Sequence, residues 1–194
     1  PSDRIEPLNF HFDVGQLCTE ANPNQELSFS SPGSTGIRGG EWCAFGSDGE
    51  MPRDQRPDDG GSLVFDSDPL EAPLEILGAA QVILDLQSDE PVAMLAVRLC
   101  DVAPDGSSLR VTYGLLNLTH RDSHERPEPL EPGHRYQVSV SMNDIAHSFP
   151  KGHRLRLSLS TGYWPIAWPA PRPARITIHT AKSSLTLPRR PVCE

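Results

Sequence analysis

The chain has 194 residues, 37% of them hydrophobic, a length that suits one domain with an irregular extension. Its formal net charge of −9 excludes the basic footprint of a nucleic-acid binder, and Arg outnumbers Lys 15 to 2 without forming a stripe. No run approaches the ~18 apolar residues of a membrane span. No charged-then-apolar leader follows Pro1, and a start at Pro leaves an upstream segment open.

Acidic charge concentrates towards the N-terminus. Residues 1–70 carry 13 Asp/Glu against 4 Lys/Arg, whereas residues 71–194 carry 13 of each. Residues 1–61 also hold 9 of the 15 glycines. The stretch from Ser31 to Gly61 is dominated by Gly, Ser, Pro, Asp and Glu and predicts long loops. Residues 1–61 are therefore expected as a loop-rich N-terminal extension, part of the same domain as a core over residues 62–194. Ile37, Trp42 and Phe45 interrupt the polar run, which predicts that part of it is pinned to a surface. Asp54-Gln55-Arg56-Pro57-Asp58-Asp59 places three carboxylates close together. Paired carboxylates can hydrolyse glycosides, but spacing alone does not set them across a substrate, so a solvated acidic loop is expected.

From Ser62 onward the signal is repeated strands. Val82, Leu84 and Leu86 share one face, and His153–Ser160 alternates leucine with Arg and Ser. Tyr136, Val138, Val140 and Met142 alternate with Gln137, Ser139 and Ser141; Val111, Tyr113 and Leu115 form another face, as do Ile176 and Ile178. Period 2 marks a strand with one buried face. The denser run Val92–Cys100 predicts a strand covered on both sides. Ala103-Pro104-Asp105-Gly106 has Pro at the second turn position and Gly at the fourth, which joins residues 92–100 and 108–118 as a hairpin. No amphipathic helix exceeds two turns. The expected fold is an all-β jelly-roll sandwich of the galactose-binding-domain-like type.

Catalytic motifs are missing. A nucleophile elbow needs G-x-S-x-G, and the sequences beginning Gly60-Gly61-Ser62 and Gly106-Ser107-Ser108 have Val64 and Arg110 at the fifth position. His120 and His124 are four apart, but their surroundings read as a strand end running into a solvated turn rather than a zinc helix. Asp101, Asp105 and Gly106 are explained by the hairpin rather than by a calcium loop. None of Cys18, Cys43, Cys100 and Cys193 belongs to a CxxC pair. So few cysteines favour unpaired thiols in a reducing cytoplasm, with a Cys18–Cys43 disulfide left open for an exported chain. No cofactor and no metal is expected.

The segment STGYWPIAWP (Ser160–Pro169) holds the ligand or domain-interface candidates Tyr163, Trp164 and Trp168. Trp faces stack on sugars or close interfaces. Two Trp-Pro pairs favour a rigid, extended crossing with a structural role, since Pro biases its predecessor to extended backbone. At least one of the two tryptophans is expected to be mostly buried. A carbohydrate-binding module using both rings, or a purely structural interaction domain, is the alternative.

Taken in order, DQRPDD (Asp54–Asp59), SLVFDSDPL (Ser62–Leu70), PLEILG (Pro73–Gly78), RLCDVAPDGSS (Arg98–Ser108), VTYGLLNLTHR (Val111–Arg121), PLEPGHRYQVSV (Pro129–Val140), HSFPKGHRLRLSLST (His147–Thr161) and YWPIAWPAP (Tyr163–Pro171) resemble a family. It is the C-terminal domain of X-Pro dipeptidyl-peptidase and cocaine-esterase-like (CocE/NonD) serine hydrolases. The resemblance covers roughly Leu27 to Pro191 and leaves residues 1–26 unmatched. It implies an α/β-hydrolase catalytic domain upstream, carrying the Ser, Asp and His of the triad, to which no position here corresponds. It also implies a non-catalytic role: packing on that core, framing its active-site entrance and, in some members, supporting a homo-oligomer.

Overall fold

The computed structural model describes residues 4–191. Among them, twelve strands and a single turn of helix follow in the order β1 (Glu6–Asp13), β2 (Gln16–Cys18), β3 (Glu26–Phe29), α1 (Arg56–Asp59), β4 (Leu63–Asp66), β5 (Leu74–Gly78), β6 (Gln81–Ser88), β7 (Met94–Val102), β8 (Ser108–Asn117), β9 (Tyr136–Ser141), β10 (Ile145–Phe149), β11 (Arg154–Ser160) and β12 (Ile176–Arg189). The hydrogen-bonded path runs β10-β5-β12-β1-β2-β4-β11-β7-β8, with β3 and β6 also on β12 and β9 beyond β6. This path folds over one core. Val82, Leu84 and Leu86 of β6, Val138 and Val140 of β9 and Ile176 and Ile178 of β12 join Leu95, Val97 and Leu99 of β7 and the three leucines of β11 in it. Apart from the hairpins β1–β2 and β7–β8, strands pair with partners distant in sequence, as β1 does with β12, β5 with β10 and β4 with β11, in keeping with a jelly-roll sandwich. No helix among the described residues is long and apolar enough to cross a membrane.

The hairpin forms as its turn residues require. Gly106 donates to the Ala103 carbonyl at 2.8 Å and takes φ +83°. Strand β7 is buried along its whole length, matching the dense apolar run.

Two expectations change. Residues 6–29, expected as part of a loop-rich extension, contribute three strands. Phe10 and Phe12 of β1 point into the core, and Phe12 stacks on Phe65 at 4.7 Å. The partner of β1 is β12, paired from Glu6↔Arg189 to His11↔Ser184, so its stability comes from chain almost a full length away. The second change is in β8. Its register against β7 passes from Leu99↔Thr112 to Cys100↔Arg110, leaving Val111 as the extra residue of a bulge. The bulge breaks the expected face. Val111 packs on the main core, while Tyr113 turns outwards to a second cluster with Met94, Ala96 and Tyr163.

Candidate functional site

The outer face of β7, β8 and β11 carries a buried ionic cluster. Arg98, fully buried, extends from β7 between four partners. Its Nη1 donates to Gln55 Oε1 at 3.0 Å, its Nη2 donates to Ser62 Oγ at 2.9 Å and lies 3.1 Å from Asp59 Oδ1, and its guanidinium carbon is 5.8 Å from the Tyr163 ring centre. Asp59 also accepts from Ser108 and Ser158, each at 2.9 Å, and from Arg156 at 3.1 Å. Arg156 continues the chain with two hydrogen bonds of 2.7 Å to Asp66, which raise its pKa. Two guanidinium groups thus meet two carboxylates with matched charge, as burial demands. The turn Arg56–Asp59 is therefore no solvated acidic loop. Asp59 is buried because its partners stand on the sheet beneath it, and Asp58 is buried facing the covering loop, where it accepts from the Arg38 N–H at 2.9 Å; Asp54 alone stays outside, its carboxyl held below the usual range chiefly by Arg56.

This cluster anchors residues 31–62 over the sheet, and the second loop, residues 162–171, closes beside them. Trp164 donates its backbone N–H to the Thr35 carbonyl at 2.9 Å. Gly36 makes that approach feasible: at φ +111° a Cβ would lie 2.5 Å from the Trp164 carbonyl oxygen. Ala167 donates to the Tyr163 carbonyl at 2.8 Å, so the segment makes a turn rather than the extended crossing expected, and the Trp164–Pro165 bond is cis. Of the three predicted site residues, Tyr163 is the buried one. Its hydroxyl accepts from Arg110 at 2.6 Å, and burial raises its pKa. Trp164 is 40% exposed and Trp168 82%, so Trp164 is more than half covered without entering the core and Trp168 stands open. Their rings meet edge to face at 76° and offer no flat double platform. Trp168 borders an apolar cleft of about 430 Å³ lined by Met94, Leu115 and Pro171.

Ile37, Trp42 and Phe45, which led to the expectation that part of this run is pinned, are 57%, 77% and 88% exposed, with Met51 also outward. They occupy a loop whose base is fastened but whose apolar tip stands largely uncovered by the described residues.

The remaining chemical candidates are accounted for structurally. Ser62 donates to the Asp58 carbonyl and Ser108 to Asp59, so neither is paired with a histidine base. His120, half-buried at the end of the 3-10 turn Leu118–His120, and exposed His124 have Nδ1 atoms 3.4 Å apart. The sequence reading missed a pairing of Asp101 with His147 and His153, at 3.1 and 2.7 Å; its members come from β7, the middle of β10 and the residue before β11, and no local pattern in the chain announces it. Among the described residues no set of three His, Cys, Asp or Glu is placed to hold a metal ion. Cys18, Cys43 and Cys100 are free, and burial pushes the Cys100 thiol up to about 12; Cys193 lies outside the described residues.

The model of the X-Pro dipeptidyl-peptidase C-terminal non-catalytic domain matches residues 6–191. The chain belongs to this family. The match reaches back to residue 6 and so takes in most of the N-terminal stretch that sequence motifs left unplaced. The family is named non-catalytic, in agreement with the missing elbow and with serines engaged in the ionic cluster. Cocaine esterase of Rhodococcus sp. is 28% identical over 116 residues, covering 59% of this chain and 20% of the esterase. The chain thus spans about a fifth of the length of the curated relatives it matches. Among solved structures, an aminopeptidase from a marine-sediment Thaumarchaeota archaeon superposes with a TM-score of 0.82 at 18% identity, over 98% of this chain and 38% of that one. A CocE/NonD family hydrolase from Staphylococcus aureus gives 0.74 at 13% identity, over 96% and 37%. Both are similar to the family domain in fold.

Proposed function

We propose that this domain is the non-catalytic C-terminal part of an α/β-hydrolase-type serine hydrolase, of the dipeptidyl-peptidase or acyl esterase/amidase class. It packs on an upstream catalytic domain and frames the entrance to that domain's active site. The observation that carries this reading is the apolar loop tip of Trp42 and Phe45, exposed on a base that a buried ionic cluster holds in place. A monomeric surface has little use for aromatics so presented, whereas an interface core is rich in them. The low coverage of the relatives supports a further domain as the occupant. The free thiols Cys18, Cys43 and Cys100 support a cytoplasmic location.

Two results are expected. The purified chain leaves a nitrophenyl ester unhydrolysed; turnover that disappears on replacing one of its serines contradicts the non-catalytic reading. The pair Trp42→Ala and Phe45→Ala changes stability by less than about 0.5 kcal/mol, because both rings are exposed. The same pair weakens association with the catalytic domain at least about tenfold, as loss of aromatic anchors does. Unchanged association in a pull-down titration removes this loop from the interface. Light scattering of the chain alone tests the competing occupant, a second copy.

A further inference from the structure

The loop that carries Trp42 and Phe45 has a narrow neck. At its base Arg53 donates its N–H to the Arg38 carbonyl at 3.0 Å, and Glu41 donates to the Glu50 carbonyl at 2.8 Å. Gly40, at φ +75°, lets the strands of the neck approach: a Cβ there would lie 2.4 Å from the Glu50 carbonyl oxygen. These two hydrogen bonds close the loop on itself but do not orient its neck on the sheet, which leaves it hinged unless a further contact joins the two.

One side chain supplies the tie. Gln55 is fully buried just outside the neck. Its Nε2 donates to the Arg38 carbonyl at 2.7 Å and to the Arg53 carbonyl at 2.6 Å, spanning both sides of the neck. Its Oε1 accepts from Arg98 at 3.0 Å, and its backbone N–H donates to the Ser108 carbonyl at 2.8 Å. Arg98 fixes which end of the amide is oxygen, since a guanidinium only donates. The NH₂ end is thereby directed at two carbonyls, which only accept. Arg38 is held a second time by its own N–H, which donates to Asp58 at 2.9 Å.

We propose that Gln55 is the positioning residue of the docking loop, transmitting the orientation of buried Arg98 to the loop neck and so setting where Trp42 and Phe45 stand. The assignment rests on the docking reading above for its purpose, and on the four contacts of Gln55 for its mechanism. Glutamate is the discriminating replacement. It keeps an oxygen for Arg98 and adds a charge partner there, so the sheet side is retained. Its second oxygen then faces the carbonyls of Arg38 and Arg53, and two hydrogen bonds become two repulsive contacts.

The experiment is hydrogen exchange read by mass spectrometry on the full chain and on the polypeptide carrying the catalytic domain. In Gln55→Glu, amides of residues 39–53 exchange at least about tenfold faster, the loss expected for two hydrogen bonds, while β7 and β11 keep wild-type protection. Should that variant fail to fold, Gln55→Met reads the same neck without a new charge, with the same expectation. Unchanged exchange at 39–53 overturns the assignment, and so does equal acceleration in the neck and in β7 and β11, which marks a merely structural role. The docking reading is read separately, in the wild type: residues 41–51 gain protection when the catalytic domain is present. If they do not, the docking reading fails whatever the Gln55 variants show. If they do, and Gln55→Glu leaves the neck unchanged, docking stands and the Gln55 assignment falls.

Discussion

Asp59→Ala lowers the unfolding free energy by about 3–5 kcal/mol, the cost of leaving one member of a buried ion pair without its counter-charge. Asp59 accepts four hydrogen bonds or ion-pair contacts at about 3 Å, from Arg98, Arg156, Ser108 and Ser158. Arg156 retains Asp66, but Arg98, fully buried, retains no carboxylate within ion-pair reach among the described residues. In a domain of this size the loss lowers Tm by roughly 6–20 °C. The double variant Asp59→Ala/Arg98→Met loses less than the two single variants added together, because an apolar side chain then occupies a site that no longer holds a charge. Urea unfolding of the three variants measures this coupling. A single Asp59→Ala variant within about 0.5 kcal/mol of wild type would show that the cluster is dispensable, and strictly additive losses would show that its members act independently.

Gly36→Val destabilises the domain by roughly 2–5 kcal/mol, combining backbone strain with an overpacked contact. The position has φ +111°, which a β-branched residue adopts only under strain, and the new Cβ meets Trp164 backbone atoms at 2.5 and 2.6 Å. Those atoms belong to the neighbouring loop, so relief of the clash separates the two loops and breaks the bond between Trp164 N–H and the Thr35 carbonyl. The variant shifts the Trp164 emission to longer wavelength as well as lowering Tm. Gly33→Val is the matched control: nothing lies within 4 Å of its Cβ and no positive φ is required, so the change stays near zero. Equal Tm values for the two variants would contradict the role assigned to Gly36.

The two predictions concern the same architectural fact, that the outer face of β7 is covered by loops rather than by another sheet. The loops bring little apolar surface of their own, and Met94, Ala96 and Tyr163 form only a small second cluster there. The rest of the adhesion comes from buried polar contacts. Such contacts are directional, so they set the position of a loop more narrowly than apolar packing does. That property suits a surface that must present aromatic side chains to a neighbour in one arrangement.

Much of this was legible in the chain. Strict alternation in β6, β9 and β11 marks their inner faces, because a half-buried strand has period 2 whatever its partner. Pro104 and Gly106 mark the β7–β8 turn because its geometry is local. One warning of the ionic cluster is visible as well: Arg98 interrupts the densest apolar run, and a charge on a strand covered on both sides needs a buried partner. Which partner it has is not legible, since Asp59 reads as one of three neighbouring carboxylates and Gln55 as an ordinary polar residue.

The sequence by itself determined the all-β class, the hairpin, the missing nucleophile elbow and the family resemblance, each of which depends on residues adjacent in the chain or on their order. Only the tertiary structure decided that β1 pairs with β12, that Val111 bulges and turns Tyr113 outwards, that Asp59 is buried, and that Tyr163 rather than either tryptophan is the hidden aromatic. The physical reason is common to all four. Whether a side chain is buried, and on which side of a strand it lies, depends on what the rest of the chain places against it, and the groups that bury Asp59 lie 49 to 99 residues further along for Ser108, Arg156 and Ser158.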